Sequence, residues 1–149
     1  MFEFNGTYYN SIDPKGRIAI PVKLRKSIND NTVVITRGLD KCLYLYPNPS
    51  WQEQLGNLSK LPQSNPKVRQ LRIFMVGNAD TVDLDKQGRI LINTSFLEFL
   101  NLNDHEKNRV TFVGDINKIL IWNPSEYEQY MAAANQSMEN LSQEFDFEF

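Results

Sequence analysis

Cysteine and histidine are almost absent from this 149-residue sequence, which contains one residue of each type, Cys42 and His105. A single cysteine cannot form a disulfide within the chain. A structural zinc site takes four ligands, mostly cysteine and histidine, so one chain cannot supply such a site. We expect Cys42, in an apolar segment, to be a buried and unreactive thiol. We expect His105, in a polar segment, to lie in a solvated loop.

Long apolar segments are also absent. No segment reaches the roughly 18 consecutive apolar residues that are typical of a transmembrane helix. The first residues contain no basic segment followed by an apolar run, so we expect no signal peptide. The sequence therefore predicts a cytoplasmic protein with no membrane partner.

Patterns typical of catalysis and cofactor binding are missing as well. The sequence shows no paired nucleophile and base, no phosphate-binding glycine loop and no set of metal ligands. Asp80, Asp83 and Asp85 form a small acidic cluster, but they lack the terminal glutamate of a calcium-binding loop. We therefore expect no enzymatic activity, no cofactor and no small-molecule substrate.

Charge is present but unevenly distributed. The net charge is −2. Residues 1–74 contain 11 Lys and Arg against 5 Asp and Glu, a charge of +6, whereas residues 75–149 contain 5 against 13, a charge of −8. Such asymmetry is typical of a protein with a polyanion-binding face or an acidic tail.

An internal repeat dominates the sequence. Asp13–Ile20 (DPKGRIAI) recurs as Asp85–Ile92 (DKQGRILI), and Lys41–Pro47 (KCLYLYP) recurs as Lys118–Pro124 (KILIWNP). The offset grows from 72 to 77 residues, which places a five-residue insertion in the polar segment Asn101–Asn108. Insertions of this kind usually fall in loops. The chain therefore consists of two related units of about 45 residues.

Each unit is predicted to contain short strands and one short helix. Asp13, Pro14 and Gly16 occupy the positions that a type I turn favours. Ser95 and Glu98 have the spacing of a capping box at the start of the second unit's helix. In the first unit the pattern predicts strands over Thr7–Ile12, Arg17–Ile20, Thr32–Arg37 and Cys42–Tyr46 and a helix over Val22–Ile28.

The segments outside the repeats are predicted to be helical until residue 134. Trp51, Leu55 and Leu58 have helical spacing, the Pro62–Pro66 segment breaks this helix, and a second helix ends near Gly77. A last helix covers Ser125–Ala134, and the acidic tail from Asn135 is predicted to be flexible. Because the tail carries three phenylalanines whose exposure is unfavourable, we hypothesise that it docks on a neighbouring molecule. They are Phe145, Phe147 and Phe149.

A unit of about 45 residues is too small to bury an adequate core alone. The two units are therefore expected to share one core, as an α/β pseudo-dimer formed by one chain. We expect Trp51, Trp122, Tyr44 and Tyr46 to lie in this core or in an interface, because they occur in regular apolar segments.

The segments DPKGRIAIP, LDKCLYLYP and LDKQGRILI, with the spacing between them, resemble the MraZ family over residues 1–125. That family consists of bacterial transcription regulators with two SpoVT/AbrB-like domains. The resemblance implies a mixed, β-rich α/β fold with two swapped-hairpin repeats. It places the repeats at residues 7–50 and 79–125, with a helical linker at 51–78. The C-terminal helix and acidic tail at 126–149 are predicted from the sequence pattern and lie outside the resemblance.

The same resemblance implies a function and partners. Such proteins assemble into rings and bind short direct repeats in double-stranded promoter DNA upstream of the division and cell-wall gene cluster, which includes their own gene. This implies a homo-oligomeric, nucleoid-associated regulator, most simply a repressor that excludes polymerase.

The residues of the repeated motif suit that function. The turn residues Asp13, Gly16, Asp85 and Gly88 are expected to be structural, because a carboxylate would repel phosphate. An arginine that projects from such a turn can contact phosphate or guanine through two parallel hydrogen bonds. The expected DNA contacts are Lys15, Arg17, Lys23, Arg25, Lys26, Lys86 and Arg89.

The second repeat departs from the first in two ways. It has fewer cations, because Gln87, Ser95 and Leu97 replace Lys15, Lys23 and Arg25, and we expect it to contribute less to DNA contact. It also has Asn93 in place of Pro21, so the start of its helix is expected to be less rigid.

One alternative function stays open at this point. The acidic second half and the Phe-rich tail favour an oligomeric protein-interaction module, such as an antitoxin-like AbrB relative, without specific operator binding.

Overall fold

The computed structural model describes residues 3–102 and 109–149. Eight strands and six helices follow one another in this part of the chain. The strands are β1 (Thr7–Ser11), β2 (Arg17–Ala19), β3 (Thr32–Arg37), β4 (Leu43–Pro47), β5 (Asp80–Asp83), β6 (Arg89–Leu91), β7 (Arg109–Asp115) and β8 (Lys118–Trp122). The helices are α1 (Val22–Arg25), α2 (Asn48–Ser59), α3 (Pro66–Val76), α4 (Thr94–Phe99), α5 (Pro124–Asn135) and α6 (Met138–Glu144).

The main sheet mixes strands from both repeats. It is antiparallel, with the order β1-β7-β8-β4-β3-β5. The first strand of each repeat therefore pairs with the other repeat: β1 lies beside β7, and β5 lies beside β3. This exchange confirms the expectation of swapped hairpins, and each half of the main sheet contains a strand of the other repeat.

A second sheet, the ribbon of β2 and β6, shows the internal symmetry most clearly. Ile18 lies opposite Ile90, its own counterpart 72 residues later, with Arg17 opposite Leu91 and Ala19 opposite Arg89. A pseudo-twofold axis therefore passes through the Ile18–Ile90 pair. The mixed α/β pseudo-dimer predicted from the sequence is confirmed.

One continuous core lies between the ribbon and the main sheet. Alternate residues of β2 and β6 point into it, as the two-residue period of a strand requires. Ile18 and Ile90 are each 1% exposed. Both repeats contribute to this core, which also contains Ile20, Val33, Ile35, Leu45, Ile92, Val110, Phe112, Ile119 and Ile121.

A smaller apolar cluster forms on the other face of the main sheet, under α2. It consists of Val34, Tyr46 and Trp51, and the rings of Tyr46 and Trp51 lie 5.5 Å apart between centroids. Trp122 is also buried, whereas Tyr44 is half-buried. The predicted core or interface positions of these aromatic residues are consistent with this packing.

Cys42 is fully buried, as expected, and burial raises the pKa of its thiol to about 12. His105 and most of the insertion segment lie outside the described residues. No helix in the described ranges is long and apolar enough to cross a membrane.

Two predicted helix features are corrected. The capping-box interpretation of Ser95 and Glu98 is wrong, because the residue that caps α4 is Asn93, whose side chain accepts a hydrogen bond of 2.8 Å from the Phe96 backbone N–H. Asn93 also donates to the Asp80 carboxylate over 3.1 Å, so the start of α4 is anchored rather than loosened. In the first repeat, α1 ends at Arg25 and is shorter than the predicted Val22–Ile28.

The C-terminal tail is more ordered than predicted. Residues 138–144 form α6, with Met138, Leu141 and Phe145 at helical spacing. Asp146 follows in the left-handed region, with φ of 50°, and the Phe147 N–H donates to the Ser142 carbonyl over 2.8 Å. This pattern is a Schellman motif, which ends a helix by turning the chain back.

Candidate nucleic-acid interface

The first turn, Asp13–Arg17, is organised around one carboxylate. Oδ1 of Asp13 accepts hydrogen bonds from the backbone N–H groups of Lys15 and Arg17, each 2.9 Å long. Oδ2 accepts a bond of 2.7 Å from Nε of Arg17. The Gly16 N–H donates to the Asp13 carbonyl over 3.0 Å, and Gly16 has φ of 84°, which a residue with a side chain rarely adopts.

The second turn, Asp85–Arg89, repeats this geometry. Oδ1 of Asp85 accepts from the N–H groups of Gln87 and Arg89 at 2.9 Å, and Oδ2 accepts from Nε of Arg89 at 2.7 Å. Gly88 has φ of 74°. These contacts explain why the sequence repeats aspartate, glycine and arginine at the same spacing.

Each turn is also joined to the other repeat. The Ile20 N–H donates to the Gly88 carbonyl over 2.9 Å, and the Ile92 N–H donates to the Gly16 carbonyl over 3.0 Å. The two turns are thus fixed at opposite ends of the β2–β6 ribbon.

The outer face of the ribbon presents both arginines. Since Ile18 and Ile90 point into the core, Arg17 and Arg89 lie on the opposite face. The register places them diagonally across the two strands, where two residues are roughly 7–8 Å apart and long side chains can reach each other. Ala19 and Leu91 complete this face, and Leu91 is 55% exposed.

Each guanidinium is held at one end and free at the other. The aspartate engages only Nε, and no described residue accepts a hydrogen bond from the terminal Nη atoms of Arg17 or Arg89. Their side chains are 36% and 32% exposed. Two free N–H groups in one plane match two oxygens of a phosphate, or O6 and N7 of guanine.

The aspartates remain ionised under ordinary conditions. The backbone N–H of Arg17 is the largest contribution that lowers the pKa of Asp13 below its usual value; desolvation opposes the shift, and the Arg17 side chain and the Lys15 N–H add to it. Arg89 and Gln87 lower the pKa of Asp85 in the same way. The carboxylates therefore neutralise part of the arginine charge while they orient it.

Arg25 of the first repeat lies beside the second turn. Its Nη1 donates a hydrogen bond of 2.6 Å to the Gln87 carbonyl. A Cβ atom at Gly88 would overlap the same guanidinium. No sequence pattern predicts this contact, because Arg25 and Gln87 are 62 residues apart and meet only through the exchange of hairpins.

The counterpart of Arg25, Leu97, lies beside the first turn. Its Cδ1 is 3.9 Å from the position that a Cβ atom of Gly16 would take. Each turn is therefore covered by the helix of the other repeat, but only the second turn receives a cation in this way. The expectation that the second repeat is poorer in cations holds along the sequence, whereas in space Arg25 offsets part of the difference.

The other predicted DNA contacts fall into two groups. Lys15 and Lys86 belong to the turns themselves and are exposed. Lys23 and Lys26 line a shallow cleft on another side of α1, with Glu3, Asn5 and Tyr8. Arg25 lines a separate cleft beside the ribbon, with Tyr9, Asn10, Ala19, Val22 and Gln87. The structure thus places Arg25 beside the turn that carries Arg89, whereas Arg17 lies diagonally across the ribbon. Lys23 and Lys26 lie to one side.

No group of three or more potential metal ligands occurs within residues 3–102 and 109–149. Of the acidic cluster noted in the sequence, Asp85 accepts hydrogen bonds from its own turn, and Asp80 accepts one from the Asn93 side chain.

The comparisons with known proteins agree with this architecture. A family model described as "MraZ protein, putative antitoxin-like" matches twice, over residues 3–74 and 75–147. A protein named "Transcriptional regulator MraZ" from Natranaerobius thermophilus is 34% identical over 146 residues, which cover 97% of this chain and 99% of that protein. One of the same name from Lachnoclostridium phytofermentans is 44% identical over 126 residues, 84% of each chain.

A solved structure, the solution structure of PHS018 from Pyrococcus horikoshii, covers 83% of this chain and 98% of that chain. Its TM-score of 0.34 and sequence identity of 11% are too low to add to the fold assignment.

Proposed function

Because this chain belongs to the MraZ family, we propose that it is a transcriptional regulator that binds double-stranded DNA through the outer face of the β2–β6 ribbon. One observation carries the proposal. Two arginines on one exposed face, related by a pseudo-twofold axis, are each held by an aspartate at Nε and keep their terminal N–H groups free. A salt bridge that served only the fold would not require this second, unpaired end.

The residues of the interface have different tasks in this proposal. Arg17 and Arg89 bind phosphate or guanine, and Asp13 and Asp85 position them. Arg25, Lys15 and Lys86 surround the turns and add phosphate contacts. Lys23 and Lys26, to one side of α1, contact the backbone only if the DNA extends past the ribbon.

A single protomer offers too few cations for tight binding. About three phosphate contacts correspond to a slope of roughly −3 in log K against log salt concentration. Several protomers on adjacent direct repeats would raise the affinity through effective concentration. We therefore propose that the chain acts as a homo-oligomer, in a ring, on direct repeats in the promoter of the division and cell-wall gene cluster that includes its own gene.

Occupancy of such a promoter would exclude polymerase, so repression is the simplest outcome, and the protein would act at the nucleoid. We assign the DNA contact to the repeats, residues 7–50 and 79–125. The linker at 51–78 and the segment 126–149 have no part in it.

Fluorescence anisotropy tests the proposal. A duplex with the sequence upstream of the protein's own gene (the native duplex) and a scrambled duplex are titrated with the protein over a series of salt concentrations. We expect a strong preference for the native duplex, a steep salt slope and loss of this preference in Arg17→Ala. Equal, weak binding to both duplexes, unchanged by the substitution, would exclude operator recognition through this face.

A second candidate function is a protein-interaction module without operator specificity. It is supported by the exposed phenylalanines of the tail, of which Phe149 is 96% exposed. In the same titration this function predicts no difference between the duplexes. It also predicts that Arg17→Ala leaves assembly and DNA binding unchanged.

A further inference from the structure

Helix α3 has an unusual apolar surface. None of its residues is buried, although six of them are large and apolar, and four of these are exposed. Ile73 is 70% exposed, and Leu71, Phe74 and Val76 are 36–42% exposed. The helix is tied to the main sheet by the Thr36 hydroxyl, which donates to the Met75 carbonyl over 2.6 Å. A helix that is apolar yet unburied is typical of an interaction surface.

A groove of about 370 Å³ lies between this helix, α2 and the main sheet. We call it the hairpin groove. Its apolar wall consists of Leu58, Leu61, Leu71, Phe74 and Met75. An engineered cavity of roughly 150 Å³ holds one benzene ring, so this volume suits about two phenyl rings.

Two cations, Arg37 and Lys118, line the same groove. Nε of Arg37 is buried and has no hydrogen-bond partner in the described chain, while its guanidinium lies 4.8 Å from the centroid of the Phe99 ring. Nζ of Lys118 lies 3.2 Å from Asp115 and 5.2 Å from the centroid of the Tyr44 ring. A buried N–H without a partner is unfavourable, so an acceptor brought into the groove would stabilise it.

The segment that supplies the apolar wall carries charge of one sign. Residues 54–79 contain Lys60, Lys67, Arg69 and Arg72 and no acidic residue. This side of the groove is therefore positive, whereas on the sheet side Lys118 is paired with Asp115. An occupant that combines aromatic rings with carboxylates would match both properties.

The C-terminal tail of the same chain has this composition. Residues 136–149 contain four acidic residues and no basic residue. Phe145, Phe147 and Phe149 are 73%, 63% and 96% exposed, and they alternate with Asp146 and Glu148. In the described structure, the hydrogen bonds of residues 138–149 all stay within residues 137–149.

We propose that the tail of one copy docks in the hairpin groove of a neighbouring copy. The phenyl rings fill the apolar part, and a carboxylate of Asp146 or Glu148 accepts from Nε of Arg37. The neighbour is a second copy, because no tail residue lines the hairpin groove of its own chain in the described structure. The inference rests on the self-association in the proposed function and is independent of DNA binding.

Analytical ultracentrifugation of the full-length protein over a dilution series tests the surface. The variants are the tail triple Phe145→Ser, Phe147→Ser and Phe149→Ser and the groove variant Leu71→Glu. Both alter exposed side chains, and circular dichroism checks that each variant folds. We expect each to weaken self-association at least tenfold. Gln70→Glu, which adds the same charge to α3 outside the groove lining, is the control and leaves it unchanged.

Cross-linking then identifies the occupant. One chain carries Leu71→Cys and another Phe147→Cys, while the buried Cys42 stays unreactive in both. A short bis-maleimide applied to the mixture is expected to give a species of two chains that contains both variants. If a doubly substituted chain cross-links only within itself, the groove is filled in cis and the proposal is wrong.

The outcomes separate this proposal from the proposed function. Assembly that is unchanged in both the tail and the groove variants would overturn the docking proposal alone. A wild-type protein that stays monomeric at all concentrations would overturn both the docking and the oligomeric form of the regulator. Operator preference in the anisotropy titration is a separate readout. Arg17→Ala changes this preference, whereas Leu71→Glu retains it on a duplex that carries a single repeat.

Discussion

The turns Asp13–Arg17 and Asp85–Arg89 have the same hydrogen bonds but different neighbours. The hydrogen bonds that each aspartate side chain accepts have equal lengths in the two turns. The first turn, however, is covered by the apolar Leu97, whereas the second is covered by the cation Arg25. The geometry of each turn is thus encoded locally, and its electrostatic surroundings are supplied by the other repeat.

This difference shows how a duplicated motif can diverge without a change in its own residues. Arg25 and Leu97 occupy equivalent positions, each on the helix that follows its turn. Because the hairpins are exchanged, a substitution at either position alters the turn of the other repeat. The two arginines of the ribbon therefore share one geometry but have different electrostatic surroundings.

Core substitutions are the reference for comparing the two repeats, and we expect them to have the largest effect on stability. Ile18 and Ile90 face each other across the axis and are equally buried. Ile18→Ala and Ile90→Ala are each expected to lower the free energy of unfolding by about 2–5 kcal/mol, and by similar amounts. Urea unfolding followed by circular dichroism measures both. If the two losses of unfolding free energy differ by more than about half, the core is less symmetric than the register of β2 and β6.

Substitutions of the two ribbon arginines, unlike those of the core isoleucines, are expected to have unequal effects, here on operator binding. Arg17→Ala should weaken operator binding by about 10- to 100-fold, since one bidentate contact corresponds to roughly 1–3 kcal/mol. Arg89→Ala should weaken it less, because Arg25 and Lys86 remain beside that turn and keep phosphate contacts. Arg17→Lys keeps the charge but loses the two parallel N–H groups, so it should fall between wild type and alanine. Equal losses at both positions, measured by anisotropy, would mean that the neighbours do not matter.

Substitutions of the turn glycines, Gly16 and Gly88, test the effect of the residues that cover each turn. Alanine at Gly16 or Gly88 must adopt a positive φ, which costs about 1–2 kcal/mol. Gly88→Ala must also displace Arg25 from the Gln87 carbonyl, so it should destabilise the fold by about 1 kcal/mol more. Thermal or urea unfolding checks this order. In an Arg25→Ala background the two glycine substitutions should become equal, and a difference that persists there would contradict this role of Arg25.

A smaller effect is expected when the missing lysine is restored. Gln87→Lys places a cation where the first turn has Lys15, and the backbone carbonyl that binds Arg25 is retained. We expect operator affinity to rise severalfold and the salt slope to steepen by about 0.9 for each new phosphate contact. Gln70→Lys on α3 adds the same charge far from the ribbon in sequence and serves as control. An equal gain in both variants would indicate a nonspecific charge effect.

The smallest difference between the turns is expected in their response to pH. Both aspartates have a folded-state pKa below the usual 3.8. Their contribution to stability is therefore complete above 3.8 and is lost as the pH falls through the folded value. Carboxyl ¹³C NMR should find both pKa values below 3.8, and stability from the turns should be constant between pH 5 and 8. An aspartate that titrates above 3.8 would contradict the hydrogen bonding described for its turn.

The repeat made much of the fold predictable. Asp13 and Gly16 bond within their own turn, so their chemistry is visible in a few consecutive residues. The Arg25–Gln87 contact depends on which hairpin crosses over, and no short pattern reveals that. The cap at Asn93 is not predicted, because Ser95 and Glu98 have the spacing of a capping box. In the structure both residues lie inside α4. The roles of the arginines in DNA binding stay a prediction.

The tail and α3 show a different limit of the sequence. The helical spacing of Met138, Leu141 and Phe145 was present but was outweighed by the polar composition around it. For α3, the spacing of apolar residues predicted the helix correctly between Pro66 and Gly77. It did not reveal that the apolar side stays exposed, because periodicity says that a face is apolar and not what covers it.

The exchanged hairpins also set the order in which the chain can fold during synthesis. The hairpin of β3 and β4 can pair as soon as residue 47 has been made, but its outer edges stay open until β5 and β8 follow. β1 leaves the ribosome before the other described strands and must wait for β7, the seventh of them. The nascent first repeat therefore carries unpaired strand edges through most of translation. On a polysome, where several copies emerge side by side, those edges are complementary to the same edges of the next chain.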